Sequence, residues 1–203
     1  MEVYKLRTPL SREDVEKLRV GDIVYISGTL YTARDQAHKR IVQYLREGKP
    51  LPFNPRDSAI YHCGPVVIKK GGEWNVISAG PTTSTRMEVY EYEVIEKLGV
   101  RMVIGKGGMG PRTAEACRKF GAVYVTFTGG AGVLAAQTIK RVVDVHWLDL
   151  GIPEAIWILE VESFGPLIVA IDTTRRNLHE EIMMRARLRK ETALHNQKYR
   201  TNL

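Results

Sequence analysis

Apolar positions along this chain change period several times, and each change marks an expected element. Over 11–19, SREDVEKLR, Ser11 followed by acids predicts a short helix with Ser11 as its N-cap. Gly21-Asp22 then turns into IVYISG, which predicts a short strand with 29–32 as loop. Ala33, Ala37, Ile41 and Leu45 recur every four residues, one face of a helix over 33–48 that stops at Gly48. Three prolines in KPLPFNPRD (49–57) predict irregular chain. Strands are expected over 58–63 and 65–80, the latter folded as a hairpin about Gly71-Gly72. Helices at 87–98, 112–120 and 133–140 alternate with strands at 100–104 and 122–127. Such short β-loop-α units are the signature of parallel pairing. Residues 154–174 read as two strands across a Phe164-Gly165 turn, and the chain from Leu178 reads as helix that frays over 195–203.

The expected class is therefore α/β: one compact domain over 1–178, with a central mostly parallel sheet and flanking helices, and a basic helical arm over 179–203. With 203 residues, 44% hydrophobic and 26% charged, the chain can bury one sizeable core. No apolar run reaches 18 residues, so no membrane span is expected. The start, MEVYKLRTPLSRED, lacks the apolar stretch of a signal peptide. Two distant cysteines, Cys63 and Cys117, make no disulfide framework and point to a reducing, cytoplasmic compartment. They also cannot supply the thiolate set of a [4Fe–4S] cluster or a structural zinc site, so such a centre would have to be held by another chain. The net charge is +7, of which +3 falls within 179–203. With no long basic run and no aromatic-plus-basic stripe, nucleic acid is not an expected partner.

Chemistry concentrates in loops expected between strands and helices: 27–40, 79–88, 104–116 and 126–136. Ligands of open α/β sheets bind just beyond the carboxyl ends of the strands. Gly105 to Gly110 matches G-x-G-x-x-G, yet no acid stands about 20 residues on to take a ribose, and no P-loop follows. Lys106 reads better as a point charge over a glycine-rich anion nest. Gly80 to Arg86 carries four successive hydroxyls, Thr82, Thr83, Ser84 and Thr85. Hydroxyls and N–H groups at a helix start suit a carboxylate or phosphate. Arg86 there opposes the helix dipole, a broken local rule of the kind found at functional sites. The first loop brings Gly28, Thr29, Arg34, Asp35 and His38. Arg34 can grip a carboxylate with two parallel hydrogen bonds. Asp35 reads as a first-turn acid, and His38 as a surface histidine or a proton carrier. Cys63 and Cys117 read as buried thiols, and His146, His179 and His195 have no metal-ligand spacing.

The segments SGTLYTARDQAHKR, HCGP, AGPTTSTRM and IGKGGMG, in this order and spacing, closely resemble the β subunit of class I iron–sulfur fumarate hydratase. Its sibling is the L-tartrate dehydratase β subunit, and single-chain class I fumarases carry the same unit as a C-terminal domain. The resemblance covers about residues 5–180. It implies a swivelling β/β/α domain and an α-subunit partner that holds a [4Fe–4S] cluster, none of it ligated by this chain. The active site would lie between the two subunits. Thr82 would be the catalytic base, and Arg34, Arg86 and Lys106 would hold the substrate carboxylates, with Gly105 and Thr83 beside them. Asp35 and His38 are candidates for a supporting role, and an Asp and a His of the α subunit would complete proton transfer. The implied reaction is reversible hydration of fumarate to (S)-malate, with tartrate dehydration as a variant, by a chain inactive alone. The expected assembly is a heterotetramer, or a homo-oligomer of the isolated chain. Threonine is a poor base by its own pKa, so Thr82 would act as a relay helped by neighbouring charges. A non-catalytic anion- or nucleotide-binding module is the rival resting on G-x-G-x-x-G.

Overall fold

In the computed structural model, which describes residues 1–200, the chain runs β1 (Val3–Arg7), α1 (Arg12–Glu16), β2 (Ile23–Thr32), α2 (Asp35–Arg46), β3 (Ala59–Tyr61), β4 (Val66–Lys70), β5 (Glu73–Ser78), α3 (Glu88–Leu98), β6 (Met102–Gly105), α4 (Pro111–Phe120), β7 (Val123–Thr126), α5 (Gly132–Gln137), β8 (Ile139–His146), β9 (Ile156–Ile171) and α6 (Leu178–Arg200). The last three residues of the expected frayed tail, 201–203, lie outside the described residues. Several local expectations hold. Ser11 caps α1 in a reciprocal capping box with Asp14. Gly71 and Gly72, at φ 60° and 89°, make the left-handed two-residue turn that joins β4 to β5.

The sheet itself is mixed and closed. Strands β2, β3, β6 and β7 pair in parallel. Strand β9 then runs antiparallel to both β7 and β2, which closes a five-stranded barrel. Strand β1 lies parallel beside β2, and β8 lies antiparallel beside β9. Alternation along the parallel strands explains their continuous apolar sequence. Tyr61, Met102, Ile104, Val123 and Val125 pack with Trp157 and Phe164 in one buried cluster. Their neighbours Ile60, Val103 and Tyr124 pack in a second, with Ala37 and Ile41 of α2, Val94 and Ile95 of α3, and Ala116 and Cys117 of α4. A strand buried on both faces has no polar side to show.

The closure accounts for the differences from the sequence reading. Residues 29–32 are strand rather than loop, because β2 must pair with β9 over Ile23–Tyr31. Gly28, at φ 101°, sits where that ladder shifts register, and a Cβ there would overlap Thr8 Oγ1. Thr8 Oγ1 also accepts from Thr29 N–H at 2.6 Å. Gly28 and Thr29 therefore serve the sheet and not a ligand. Phe164-Gly165 does not separate two strands, since β2 pairs on both sides of it, Ile26 with Phe164 and Val24 with Leu167. Strands β1 and β8 are additions to the expected set, and the helix expected over 133–140 stops at Gln137, with β8 beginning at Ile139. Both lie at the ends of the sheet, where one partner suffices and sequence alternation is weak.

The carboxyl ends of β2, β3, β6 and β7 gather at one rim of the barrel. The chain leaves β3 there, makes the β4–β5 hairpin, and returns through 80–87 before α3. The start of α6 is tied to the same rim: Asn177 Nδ2 donates to Met109 O at 2.9 Å, and the His179 ring covers Gly108.

Candidate active site

Arg34 occupies the N-cap of α2 in extended backbone, so its side chain leaves the end of β2 across the rim. It crosses Gly64, where a Cβ would come within 2.7 Å of Arg34 Cδ and Nη1. The Gly64 of HCGP is thus the floor beneath this guanidinium. Glu154 holds it from the side: Oε1 lies 3.4 Å from Arg34 Nε, and Oε2 accepts the Gln36 N–H at 2.9 Å. One carboxylate therefore steadies the arginine and caps the first turn of α2.

Asp35 accepts two parallel hydrogen bonds from Arg86, Nε to Oδ1 at 2.7 Å and Nη2 to Oδ2 at 2.9 Å. Hydrogen bonding from Arg86 holds the Asp35 carboxyl below the usual carboxylate range. Arg86 Nη2 also donates to Thr82 Oγ1 at 2.7 Å. Thr82 is held independently, by its N–H donating to His62 O at 2.7 Å. The segment 81–84 threads between the ends of β3 and β6, with Cys63 bridged to Pro81 and Thr83 bridged to Lys106. The unfavourable placement of Arg86 at a helix start thus has its compensation in Asp35.

The four hydroxyls divide. Ser84 is fully buried and turns inward, where its Oγ accepts the Lys106 N–H at 3.1 Å. Thr85 Oγ1 donates to Gly108 O at 2.9 Å. Only Thr82 and Thr83 are left to face a ligand, and Thr83 is exposed. Gly105 is buried, and a Cβ on it would overlap Ser84 Oγ. The missing side chain lets β6 approach Ser84. Lys106 lays its stem against Gly129, whose added Cβ would lie 3.0 Å from Lys106 Cδ. Among the described residues it has no salt-bridge partner, unlike Arg34 and Arg86.

The glycine-rich loop is not an open anion nest. Glu88 Oε2 accepts from Gly110 N–H at 2.7 Å and from Thr113 Oγ1 at 2.6 Å, and Oε1 accepts from Arg112 N–H at 3.0 Å. The start of α4, where a dinucleotide phosphate would sit, is occupied by a protein carboxylate. Lys106 stands beside that filled end as a separate charge.

His38 is not a surface histidine. It is fully buried with His62 and Glu91, both Nε2 atoms turned to Glu91 Oε2 at 3.3 Å and 3.0 Å. Two imidazoles and a carboxylate are a cation-site donor set. Here the separations are those of direct hydrogen bonds and ion pairs. The cysteines do not suit an iron–sulfur cluster. Cys63 packs in the barrel cluster and Cys117 in the helix-side cluster, and burial pushes both thiols well up. A buried protonated thiol is inert, and two in separate core layers make no ligand set.

Sequence reasoning thus missed His62, Glu88, Glu91 and Glu154, and counted Ser84 among the ligand-facing hydroxyls although it is buried. Glu91 had a legible signal: it falls on the apolar stripe Met87, Val94, Ile95, Leu98 of its own helix. Glu88 and Glu154 had none, since their roles depend on elements distant in sequence.

Comparison with known proteins adds to this geometry. A family profile described as Fumarase C-terminus matches residues 2–182. The L(+)-tartrate dehydratase subunit beta of Escherichia coli is 49% identical over 87% of this chain and 86% of its own length. A putative L(+)-tartrate dehydratase subunit beta of Methanocaldococcus jannaschii is 46% identical, over 85% of this chain and 89% of its own. A putative fumarate hydratase class I of Geobacillus stearothermophilus is 42% identical over 89% of this chain, which corresponds to 34% of that longer protein.

Proposed function

The chain belongs to the Fumarase C-terminus family, and from that premise we propose that it is the β subunit of an iron–sulfur hydro-lyase that reversibly hydrates fumarate to (S)-malate. The observation that carries the reading is Thr82 Oγ1, held by Arg86 and through it by Asp35, near Lys106, which has no salt-bridge partner among the described residues. These groups lie on an open face, with Arg86 44% exposed. An α subunit covering that face completes the site. It also holds the [4Fe–4S] cluster, for which the thiols of this chain are unsuited. Residues 1–178 are the hydro-lyase unit, able to swivel against that partner. The basic C-terminal arm exposes Ile182, Met183, Met184 and Leu188 among its described residues, a stretch that would pack on a neighbouring subunit of a heterotetramer.

In the dehydration direction, the carbon beside one carboxylate loses a proton and its neighbour loses the hydroxyl as water. Thr82 relays that proton: its oxygen takes the proton from carbon as its own hydroxyl proton passes to an acid–base group of the α subunit, and a second such group protonates the departing hydroxyl. Arg86 donates a hydrogen bond to Thr82 Oγ1 and so favours an oxygen with anionic character, while Asp35 keeps the guanidinium aimed. As the C–H bond breaks, negative charge builds on the adjacent carboxylate. Lys106, with no internal acid to satisfy, stabilises it. Arg34, steadied by Glu154 and Gly64, holds the other carboxylate in place. Thr83 and Gly105 lie beside the substrate, and Gly105 also makes room for Ser84.

The test is loss of fumarate absorbance under anaerobic conditions, with this chain alone and then with its α subunit and reconstituted cluster. Activity only in the assembled complex supports the reading. Absence of both complex and activity defeats it and moves the anion-binding module forward. L-tartrate dehydration is a second reading, favoured by the names of the relatives at 49% and 46% identity. A complex that turns over tartrate and not fumarate would select it.

A further inference from the structure

Beneath the open face runs a chain of polar contacts closed to solvent. His38 Nδ1 lies 2.9 Å from the Arg34 carbonyl, and its Nε2 lies 3.3 Å from Glu91 Oε2. His62 Nε2 lies 3.0 Å from the same oxygen, and its Nδ1 lies 2.9 Å from Ser84 Oγ. Ser84 Oγ accepts the Lys106 N–H at 3.1 Å. The two rings meet edge to face, with centroids 5.0 Å apart. His38, His62, Ser84 and Glu91 are all fully buried.

Donor and acceptor roles along this chain can be assigned. A carbonyl only accepts, so His38 Nδ1 carries a hydrogen toward Arg34. A backbone N–H only donates, so Ser84 Oγ accepts from Lys106 and keeps a second lone pair and its own hydrogen for His62 Nδ1, with the direction there set by the tautomer of the ring. The Glu91 carboxylate only accepts, so His62 carries a hydrogen on Nε2; burial keeps this ring neutral, which leaves Nδ1 to accept from the Ser84 hydroxyl. His38 hydrogen-bonds only through Nδ1; its Nε2 lies at ion-pair distance from Glu91 Oε2, and the ring is the imidazolium that balances that carboxylate. Direction of titration agrees at each group. Burial opposes the charge of His38, but the adjacent Glu91 carboxylate raises its pKa. Burial lowers His62. Burial works against ionised Glu91, yet the two imidazoles bring it down. Asp35 from α2, Cys117 from α4 and Tyr124 from β7 are the other titratable groups that feel this trio.

An apolar filling would serve a core at least as well as a buried ion pair. What this network does that apolar residues cannot is end on two backbone groups, the carbonyl of Arg34 and the amide of Lys106. We propose that Glu91 is a positioning residue for the dicarboxylate site, which through His38 and His62–Ser84 fixes the spacing of the loops that carry Arg34 and Lys106. This rests on reading the open face as that site. Glu91 stands on α3, directly after the Thr82–Arg86 loop, so one helix references all the expected substrate contacts to a common charge.

Two measurements test it. Nitrogen-15 NMR of the histidine rings in the full chain should show His38 doubly protonated and His62 protonated on Nε2 alone at neutral pH, with His38 becoming neutral in Glu91→Gln. In the assembled complex, Glu91→Gln should lower kcat/KM by about 10²-fold, as for a displacement of about 1 Å at reacting groups. Ser84→Ala cuts only the link to Lys106, leaves the buried ion pair intact, and should lower kcat/KM by about tenfold. An active wild-type complex whose two variants keep wild-type kcat/KM overturns the proposal and leaves the hydro-lyase reading standing. Unprotonated Nε2 atoms on both rings with one metal ion per chain also overturn it, and make the trio a cation centre. A wild-type complex inactive on both acids removes the site reading and this proposal together.

Discussion

Two loops on the same rim look alike in sequence and differ in what they leave unsatisfied. The loop entering α4, Gly105 to Gly110, has the richer motif. Its helix end is nonetheless filled, with Glu88 accepting from Gly110, Arg112 and Thr113. The loop entering α3, Gly80 to Arg86, matches no motif. It keeps Thr82 on the surface under an arginine that is itself clamped by Asp35. Glycine marks where backbone must come close; it does not say whether the approaching group is a ligand or the protein's own side chain. Function follows the group left free. By that measure the proposed reactive groups of the rim are Thr82, aimed by the clamped Arg86, and Lys106, which has no salt-bridge partner among the described residues.

The comparison breaks most sharply at Thr82. Thr82→Ala in the assembled complex should cost about 10³-fold in kcat, the usual scale for losing a positioned proton carrier, with an unchanged melting temperature. A loss below tenfold would transfer the proton role elsewhere. Lys106→Met should cost about 10²-fold, because one stabiliser of developing charge is removed without disturbing the backbone amide that Ser84 reads. Glu88→Ala should act on stability instead, by about 1–2 kcal/mol and several degrees of Tm, since α4 loses its cap. If activity fell as far as for Lys106→Met while Tm held, the filled loop would have to be counted with the reactive one.

Asp35 gives a prediction with a sign. Its carboxyl is held below its ordinary range by Arg86, so the native state binds that proton less readily than the unfolded chain. The clamp therefore contributes fully above the ordinary carboxylate range and is lost as pH falls through the depressed value. Carbon-13 NMR of the carboxyl should follow that titration; a midpoint at or above the ordinary value would mean that Arg86 is not its partner in solution. The smallest effect is expected from nucleotides: ATP or NAD should leave Tm unchanged, because Glu88 already takes the N–H groups of α4. A saturable rise in Tm would return the nucleotide reading to the glycine loop.

Local chemistry was legible in the chain itself. The capping box at Ser11, the Gly71-Gly72 turn, helix α2 from its four-residue spacing, and the parallel β-loop-α run all follow from short-range propensity and period. So does the candidacy of Arg34, Thr82, Arg86 and Lys106, because a charge or hydroxyl beside a strand-to-helix turn is a local pattern. Closure of the barrel was not legible. It depends on β9 pairing both with β7, as at Tyr124 and Ile171, and with β2, as at Tyr31 and Ile158 far away in the chain, and it turned the expected loop at 29–32 into strand. The partners of the site were hidden for the same reason. Asp35 meets Arg86 across 51 residues, Arg34 meets Glu154, and His38 reaches His62 and Glu91 only inside the core. Sequence by itself determined which residues could do chemistry, since that is a property of side chains and their immediate neighbours. Tertiary structure alone decided which of their hydrogen bonds and charges were already spent within the protein, because that depends on what the fold brings within about 3 Å.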